Sequence, residues 1–181
     1  MTKLALATCA LGGVKVAGSL GSLYAPDLAR RIWLAFSRND MTGWVLTAVD
    51  VFWACWLILC TPPFSETPNI EPMVYVGGPL AFFILVIFLD ELLAPRALGG
   101  LLLLLAEPVL ALAREHASAW SLVMTVMAYL WIIYGMILVV SPFRFRKVAE
   151  LITRDCKRFH TGNLLGFAVG CLLLILGVAV Y

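Results

Sequence analysis

The chain has 181 residues, of which 62% are hydrophobic and 13% are charged, and its formal net charge is +2. A soluble domain is about half apolar and about a quarter charged, so this composition excludes a soluble globular domain. It predicts one integral membrane domain, 1–181, folded as an all-α polytopic helix bundle, and gives no sign of a nucleic-acid partner.

A helix needs about 20 mostly apolar residues to cross a bilayer, so apolar runs of that length are candidate spans. Six are present. The first holds Lys15 and several glycines and resembles a secretory signal in position, but the lysine breaks the apolar run that a signal peptide needs, so we expect a retained span. In chain order the spans are 4–24, 42–61, 72–93, 97–113, 117–140 and 161–181.

Two of the links between spans predict amphipathic helices that lie in the headgroup layer. In 143–159 apolar residues recur at helical spacing between basic ones, and 26–38 repeats this pattern on a smaller scale, with Pro26 near the start of the helix. Membrane anchoring explains both, and the alternative is docking of a protein or a phosphate. The predicted contacts to anionic lipid are Arg144, Arg146, Lys147, Arg154, Lys157 and Arg158.

The basic residues also predict the threading. Ten of the thirteen lysines and arginines lie in three links, those after the first, third and fifth spans. Because Lys and Arg beside spans remain on the cytoplasmic side, we expect these links inside and both termini on the non-cytoplasmic side. The acidic, proline-rich segment 62–71 is then an outer loop.

This threading suggests a weak internal repeat. Proline, arginine and glycine recur in a similar order around the three inner links, which favours three parallel helical hairpins related by an axis along the membrane normal. The alternative is that short inner loops carry these residues for local reasons.

Small residues predict which spans pack closely. Lipid tails are as apolar as leucine, so membrane helices associate through close backbone approach, which favours small residues four positions apart. The first and last spans carry such stripes and are expected to be helix interfaces, within the chain or with a partner subunit. The stripes are Ala5, Cys9, Gly13, Ala17 and Gly21, and Gly162, Gly166 and Gly170.

Three ionisable residues lie near the middle of spans: Lys15, Asp50 and Glu107. Such groups usually face the bundle interior and pair, so we expect Lys15 to pair with one of the two acids. Pro108 follows Glu107 and is expected to free the carbonyl of Leu104, beside which a carboxyl group could form a cation or proton site. A purely structural ion pair is the alternative.

Catalytic signatures are not found, which favours a protein that is not an enzyme. His116 and His160 both lie at span ends, the five cysteines form no CxxC motif, and there is no nucleotide loop or zinc pattern. We predict no cofactor and no metal, but expect bound lipid. A quinone or pigment beside Trp53 and Trp56 is the alternative to simple packing of these rings.

The segment GMILVVSPFRFRKVAELI at 135–152, followed by RFHTGNLLGFAVGCLLLILGV, resembles the small two-helix bacterial inner-membrane proteins of unknown function. The resemblance covers less than a third of the chain. It implies a location in the bacterial inner membrane and no known activity.

Two functions fit this sequence. The first is an accessory or structural subunit that packs within a larger membrane complex or a homo-oligomer, as the small-residue stripes suggest. The second is a small ion- or proton-coupled transporter or channel that uses Lys15, Asp50 and Glu107.

Overall fold

The computed structural model describes residues 3–36, 39–61, 69–88, 93–115, 120–154 and 156–179. Within these ranges the chain forms eight α-helices, six of which are long and apolar enough to cross a membrane. The predicted all-α membrane bundle with six spans is confirmed. The spans are α1 (Lys3–Tyr24), α3 (Asp40–Cys60), α4 (Ile70–Phe88), α5 (Leu93–Glu115), α6 (Ser121–Val140) and α8 (Cys156–Ala179).

Two shorter helices, α2 (Pro26–Phe36) and α7 (Pro142–Arg154), join spans. Both begin at a proline, which suits the first position of a helix because the backbone N–H that it lacks would have no partner there. Their aromatic residues meet, since Trp33 stacks on Phe145 with ring centroids 5.8 Å apart. The first and last basic links therefore lie at the same end of the bundle, as the threading predicts. We call this the basic end.

Two element boundaries differ from the predicted ones. Helix α5 begins at Leu93 rather than at residue 97, because Pro95 and Arg96 fall in its first turn, where a proline is tolerated. Residues 156–159, which the sequence pattern places in the interfacial helix, belong to α8. Periodicity alone does not mark this boundary, since no proline or glycine separates the two helices.

The spans pack in pairs. Helix α1 runs antiparallel to α8, α5 runs antiparallel to α6, and α4 packs on α3. Helix α3 also lies along α5, and these two are parallel: Gly43 contacts Leu93, and seven residues later Asp50 contacts Gly100. Close packing thus joins spans across the boundaries of the three predicted hairpins rather than within them.

Two apolar clusters hold the pairs together. One joins α1, α5, α6 and α8 through buried residues that include Leu4, Val109, Met124 and Leu173. The other lies at the basic end, where Leu138, Phe145 and Ala149 of α6 and α7 pack against partly buried residues of α2 and α5. The interfacial helices are therefore part of the packed bundle.

Candidate functional site

The three mid-membrane ionisable residues lie on three different surfaces. Lys15 lines a cavity between α1, α6 and α8. Asp50 faces α5, where its Oδ2 atom is 2.9 Å from the position that a Cβ on Gly100 would occupy. Glu107 is exposed on α5. The fold does not bring Lys15 to either acid, so the predicted charge cluster is not formed.

The two acids also differ in height. Asp50 is level with Gly100, and Glu107 follows Gly100 by seven residues, a rise of about 10 Å along an α-helix. The sequence suggested a shared depth because each acid lies near the middle of its own apolar run. The parallel register of α3 and α5, which the sequence does not contain, sets the actual offset.

Arg96 lies one helical turn from Gly100, the residue of α5 that Asp50 faces. It precedes Gly100 by four residues, so the two lie on the same side of α5, about 6 Å apart along the helix axis. The Oδ1 atom of Asp50 and the Nε atom of Arg96 are both buried, and neither has a hydrogen-bond partner among the described residues. The sequence indicated only that Arg96 lies in a link between spans, because the register of α3 against α5, which sets its position relative to Asp50, is not contained in the sequence.

Glu107 is an acidic residue within a membrane-spanning helix, as the sequence predicts. It is exposed on the surface of a 23-residue helix that is apolar enough to cross a membrane. Helix α5 continues through Pro108 to Glu115, so the proline does not end the helix. The carboxyl group therefore faces outward from the bundle at membrane depth, rather than into it.

The first and last spans do pack against each other through small residues. Gly166 lies against Ser19, Gly170 against Val16 and Gly12, and Gly177 against Cys9 and Ala5. Four residues of the predicted stripes, Ala5, Cys9, Gly166 and Gly170, are thus at this interface. Others are not: a Cβ on Gly13, Gly21 or Gly162 would meet no neighbouring atom within 4 Å, and Ala17 is exposed.

Helix geometry explains why only part of the small-residue stripe on α1 lies at this interface. Residues four apart differ by 400°, so a strict four-residue stripe rotates by about 40° at each step around a helix of 3.6 residues per turn. One straight neighbour cannot follow it. The contacts on α1 instead alternate between spacings of four and three, which averages 3.5 and keeps one seam toward the partner. The seam contains Ala5, Cys9, Gly12, Val16 and Ser19.

A second close crossing, between α5 and α6, was not predicted. A Cβ on Gly99 would lie 2.8 Å from the carbonyl oxygen of Gly135, and a Cβ on Gly135 would lie 2.8 Å from the carbonyl oxygen of Gly99. Both glycines are buried. Only glycine allows the two backbones to approach this closely. Each helix holds a single glycine at the contact, so no repeated spacing signals it.

The predicted contacts to anionic lipid are partly described. Arg144, Arg146 and Lys147 are exposed on α7, at the basic end of the bundle. The side chains of Arg154, Lys157 and Arg158 lie outside the described part of the structure. On α3, Trp56 lines an apolar groove shared with Phe82 of α4, while Trp53 is half-buried.

Six spans with lipid-facing apolar surfaces and two interfacial helices define a polytopic α-helical protein that is integral to a membrane and contacts its bilayer. No protein-family model, curated protein or solved structure matches this chain.

Proposed function

We propose that the protein is an accessory or structural subunit of a membrane complex and that a partner covers Glu107. The observation that carries this proposal is the outward exposure of that carboxyl group on a membrane-spanning helix. Insertion scales assign about 2.5–3.5 kcal/mol to an acidic or basic residue at the centre of a span, so such groups normally face protein or water. A spanning helix of a partner that presents a basic group or a hydrogen-bond donor to Glu107 would remove this cost.

A second surface supports the same function. Gly13 and Gly21 have open space beside them and Ala17 is exposed, so one side of α1 presents small residues that no described part of this chain covers. Small residues in membrane helices favour close approach of another helix. A second copy of the chain or a different subunit could dock there.

The test compares two Glu-to-Gln substitutions on the same helix. Glu107→Gln removes the charge at membrane depth, whereas Glu115→Gln makes the same change at the exposed end of α5. Membranes of the native organism are solubilised gently and run on native gels, and co-migrating chains are identified. We expect a band above the monomer mass that Glu107→Gln weakens by about tenfold and Glu115→Gln leaves unchanged, since hydrogen bonds to charged groups contribute about 1.5–3 kcal/mol. A wild-type band at the monomer mass alone would refute the subunit function.

Asp50 supports a second candidate, a small ion- or proton-coupled transporter. Its buried Oδ1 atom has no hydrogen-bond partner among the described residues, and the oppositely charged Arg96 lies about one turn away on α5. Gly100 leaves the space that the carboxylate occupies. Ionisable groups inside membrane bundles often mark ion or proton pathways. In this version of the hypothesis Arg96 takes the place that the sequence assigned to Lys15.

Flux measurements separate the two candidates. Asp50→Asn and Arg96→Gln are reconstituted into vesicles beside the wild type, with Asp40→Asn as the control because Asp40 is exposed in the first turn of α3. The transporter hypothesis expects wild-type proton or cation flux that Asp50→Asn abolishes and Asp40→Asn preserves. Equal flux in Asp50→Asn and wild-type vesicles would eliminate it.

We also propose that the basic end faces the cytoplasm of a bacterial inner membrane, with both termini on the other side. The clustering of basic residues at one end supports this orientation. The test introduces single cysteines at Arg31 or Lys147, both exposed, in a chain without its native cysteines. An impermeant thiol reagent added to intact cells should leave both unlabelled, and labelling of either would reverse the orientation.

A further inference from the structure

The cavity lined by Lys15 is a half-open cleft near the basic end of the bundle, and Lys15 is itself exposed in it. Its volume is about 460 Å³, within the range of roughly 300–1,000 Å³ that is usual for small-molecule sites. Helices α1, α6 and α8 form its walls, and residues of α2 and α7 close it toward the basic end. Because Lys15, Gly18 and Gly162 in its lining are exposed, a molecule outside the bundle can reach it.

One side of the cavity is polar. Lys15, Ser19 and Ser22 are spaced by four and three residues, which places them on one face of α1. Asn163 of α8 lies in the same lining, and its Nδ2 atom is buried without a hydrogen-bond partner among the described residues. The described lining residues include a lysine, hydroxyl groups and this amide, but no carboxylate.

The other side is aromatic and apolar. Trp33, Phe145 and Phe159 line it, together with Val148. The guanidinium carbon of Arg30 lies 5.3 Å from the centroid of the Phe159 ring, so a second cation stands behind this wall. The Nε and Nη2 atoms of Arg30 are buried without hydrogen-bond partners among the described residues. The cavity therefore combines positive charge, free donors and flat apolar surface.

Depth makes the charge of Lys15 significant. It precedes the last residue of α1, Tyr24, by nine residues, or about 13 Å of helix. A lysine at that depth needs an anion or water, because the hydrocarbon region cannot solvate it. The acids that sequence reasoning offered as partners lie elsewhere, on α3 and α5.

We propose that this cavity binds an anionic amphiphile, whose headgroup meets Lys15, Ser19 and Asn163 and whose acyl chain lies along Trp33 and Phe145. Lysine is suited to such a headgroup because its ammonium group is a compact charge with three donors on a flexible stem. The headgroup can be the phosphate of an acidic phospholipid or the carboxylate of a fatty acid. This site is distinct from the proposed docking surfaces, since Gly13, Ala17 and Glu107 do not line the cavity.

The experiment uses the purified full-length chain in neutral detergent and native mass spectrometry with added lipid. Phosphatidylglycerol and oleate are the two anionic ligands, and phosphatidylcholine is the neutral control. We expect one anionic ligand to bind per chain and Lys15→Met to weaken its binding by about tenfold or more, because a charge-assisted contact is lost. Binding of phosphatidylglycerol alone, oleate alone or both supports the proposal and identifies the source of the headgroup.

Two matched controls make the result specific. Arg114→Met removes a positive charge from an exposed position in the last turn of α5, outside the cavity lining, and should change binding by less than about twofold. Gly162→Leu fills the cavity without an initial clash, because nothing lies within 4 Å of its Cβ position, and should weaken binding. Gly77→Leu adds the same side chain at an equally open glycine on α4 and should have no effect.

Three results would overturn the proposal: binding by Lys15→Met at wild-type strength, equal loss in Arg114→Met, or binding of phosphatidylcholine as tight as that of the anionic lipids. Any of these would make the cavity a water-filled space into which Lys15 extends. If Lys15→Met does not fold, Gly162→Leu against Gly77→Leu decides the matter, since neither change removes a charge.

Discussion

The crossing of α5 and α6 predicts that Gly99→Ala destabilises the bundle. The added Cβ would lie 2.8 Å from the carbonyl oxygen of Gly135 and 3.0 Å from side-chain atoms of Leu138 and Val139. A carbonyl oxygen of a helix backbone cannot move alone, so the helices must part until the contact reaches about 3.4 Å, the beginning of ordinary van der Waals contact.

The required separation is about 0.6 Å, and a radial gap of about 0.5–1 Å forfeits roughly a quarter to a half of each dispersion contact across the interface. Overpacking of this kind costs about 1–3 kcal/mol. The gain in helix propensity from glycine to alanine, up to about 1 kcal/mol in water, offsets only part of it. We therefore expect Gly99→Ala to lower the free energy of unfolding by about 1–2 kcal/mol.

The assay is titration of the purified protein with a denaturing detergent, followed by circular dichroism. Gly77→Ala is the control, because its Cβ would meet nothing within 4 Å, and it should leave the free energy unchanged or raise it slightly. Gly135→Ala should match Gly99→Ala, and the double variant should lose less than the sum, since one separation relieves both contacts. Equal stability of Gly99→Ala and Gly77→Ala, or full additivity of the pair, would refute the close crossing.

Three further predictions test other contacts. Gly170→Ala should lower the free energy of unfolding by about 1–2 kcal/mol in the same titration, because its Cβ would meet the backbone of α1 at 3.0 Å. Gly13→Ala is the control and should not lower it, since its Cβ would meet nothing within 4 Å. Equal effects of the two changes would contradict the seam between α1 and α8. Thr8→Val should lower the free energy of unfolding by about 0.6 kcal/mol or less, although Thr8 is fully buried. The reason is that its hydroxyl donates only to the carbonyl oxygen of Leu4 on its own helix, at 2.7 Å. A larger loss of stability would reveal a hydrogen-bond partner beyond α1. Cysteines at positions 33 and 145, in a chain without native cysteines, should be joined by a short thiol crosslinker, since the rings of Trp33 and Phe145 stack; absence of the product on denaturing gels would separate α2 from α7.

The sequence was sufficient for the features that depend on local composition. Apolar length located the six spans, and the spacing of basic and apolar residues located both interfacial helices. The small residues of the first and last spans correctly pointed to helix interfaces, although a fixed spacing of four chose Gly13 where the seam uses Gly12. A spacing rule ignores the rotation between 3.6 and 4 residues per turn, and this error grows along the helix.

Contacts that depend on the register between helices could not be read from the sequence. Asp50 faces Gly100, one turn from Arg96, because α3 and α5 are parallel and level at the basic end, whereas hydropathy describes each span separately. The cavity beside Lys15 has the same origin. Its lining comes from five helices, and only the pattern of Lys15, Ser19 and Ser22 on α1 was visible in one segment.

The pairing of α1 with α8 constrains the order in which the bundle is completed. Spans enter the bilayer as the ribosome delivers them, and helices then associate within it. The seam that contains Cys9, Gly12 and Val16 therefore remains exposed to lipid until α8 has been synthesised. A nascent chain truncated before α8 would retain this unoccupied seam, and such a chain is a natural substrate for membrane quality control.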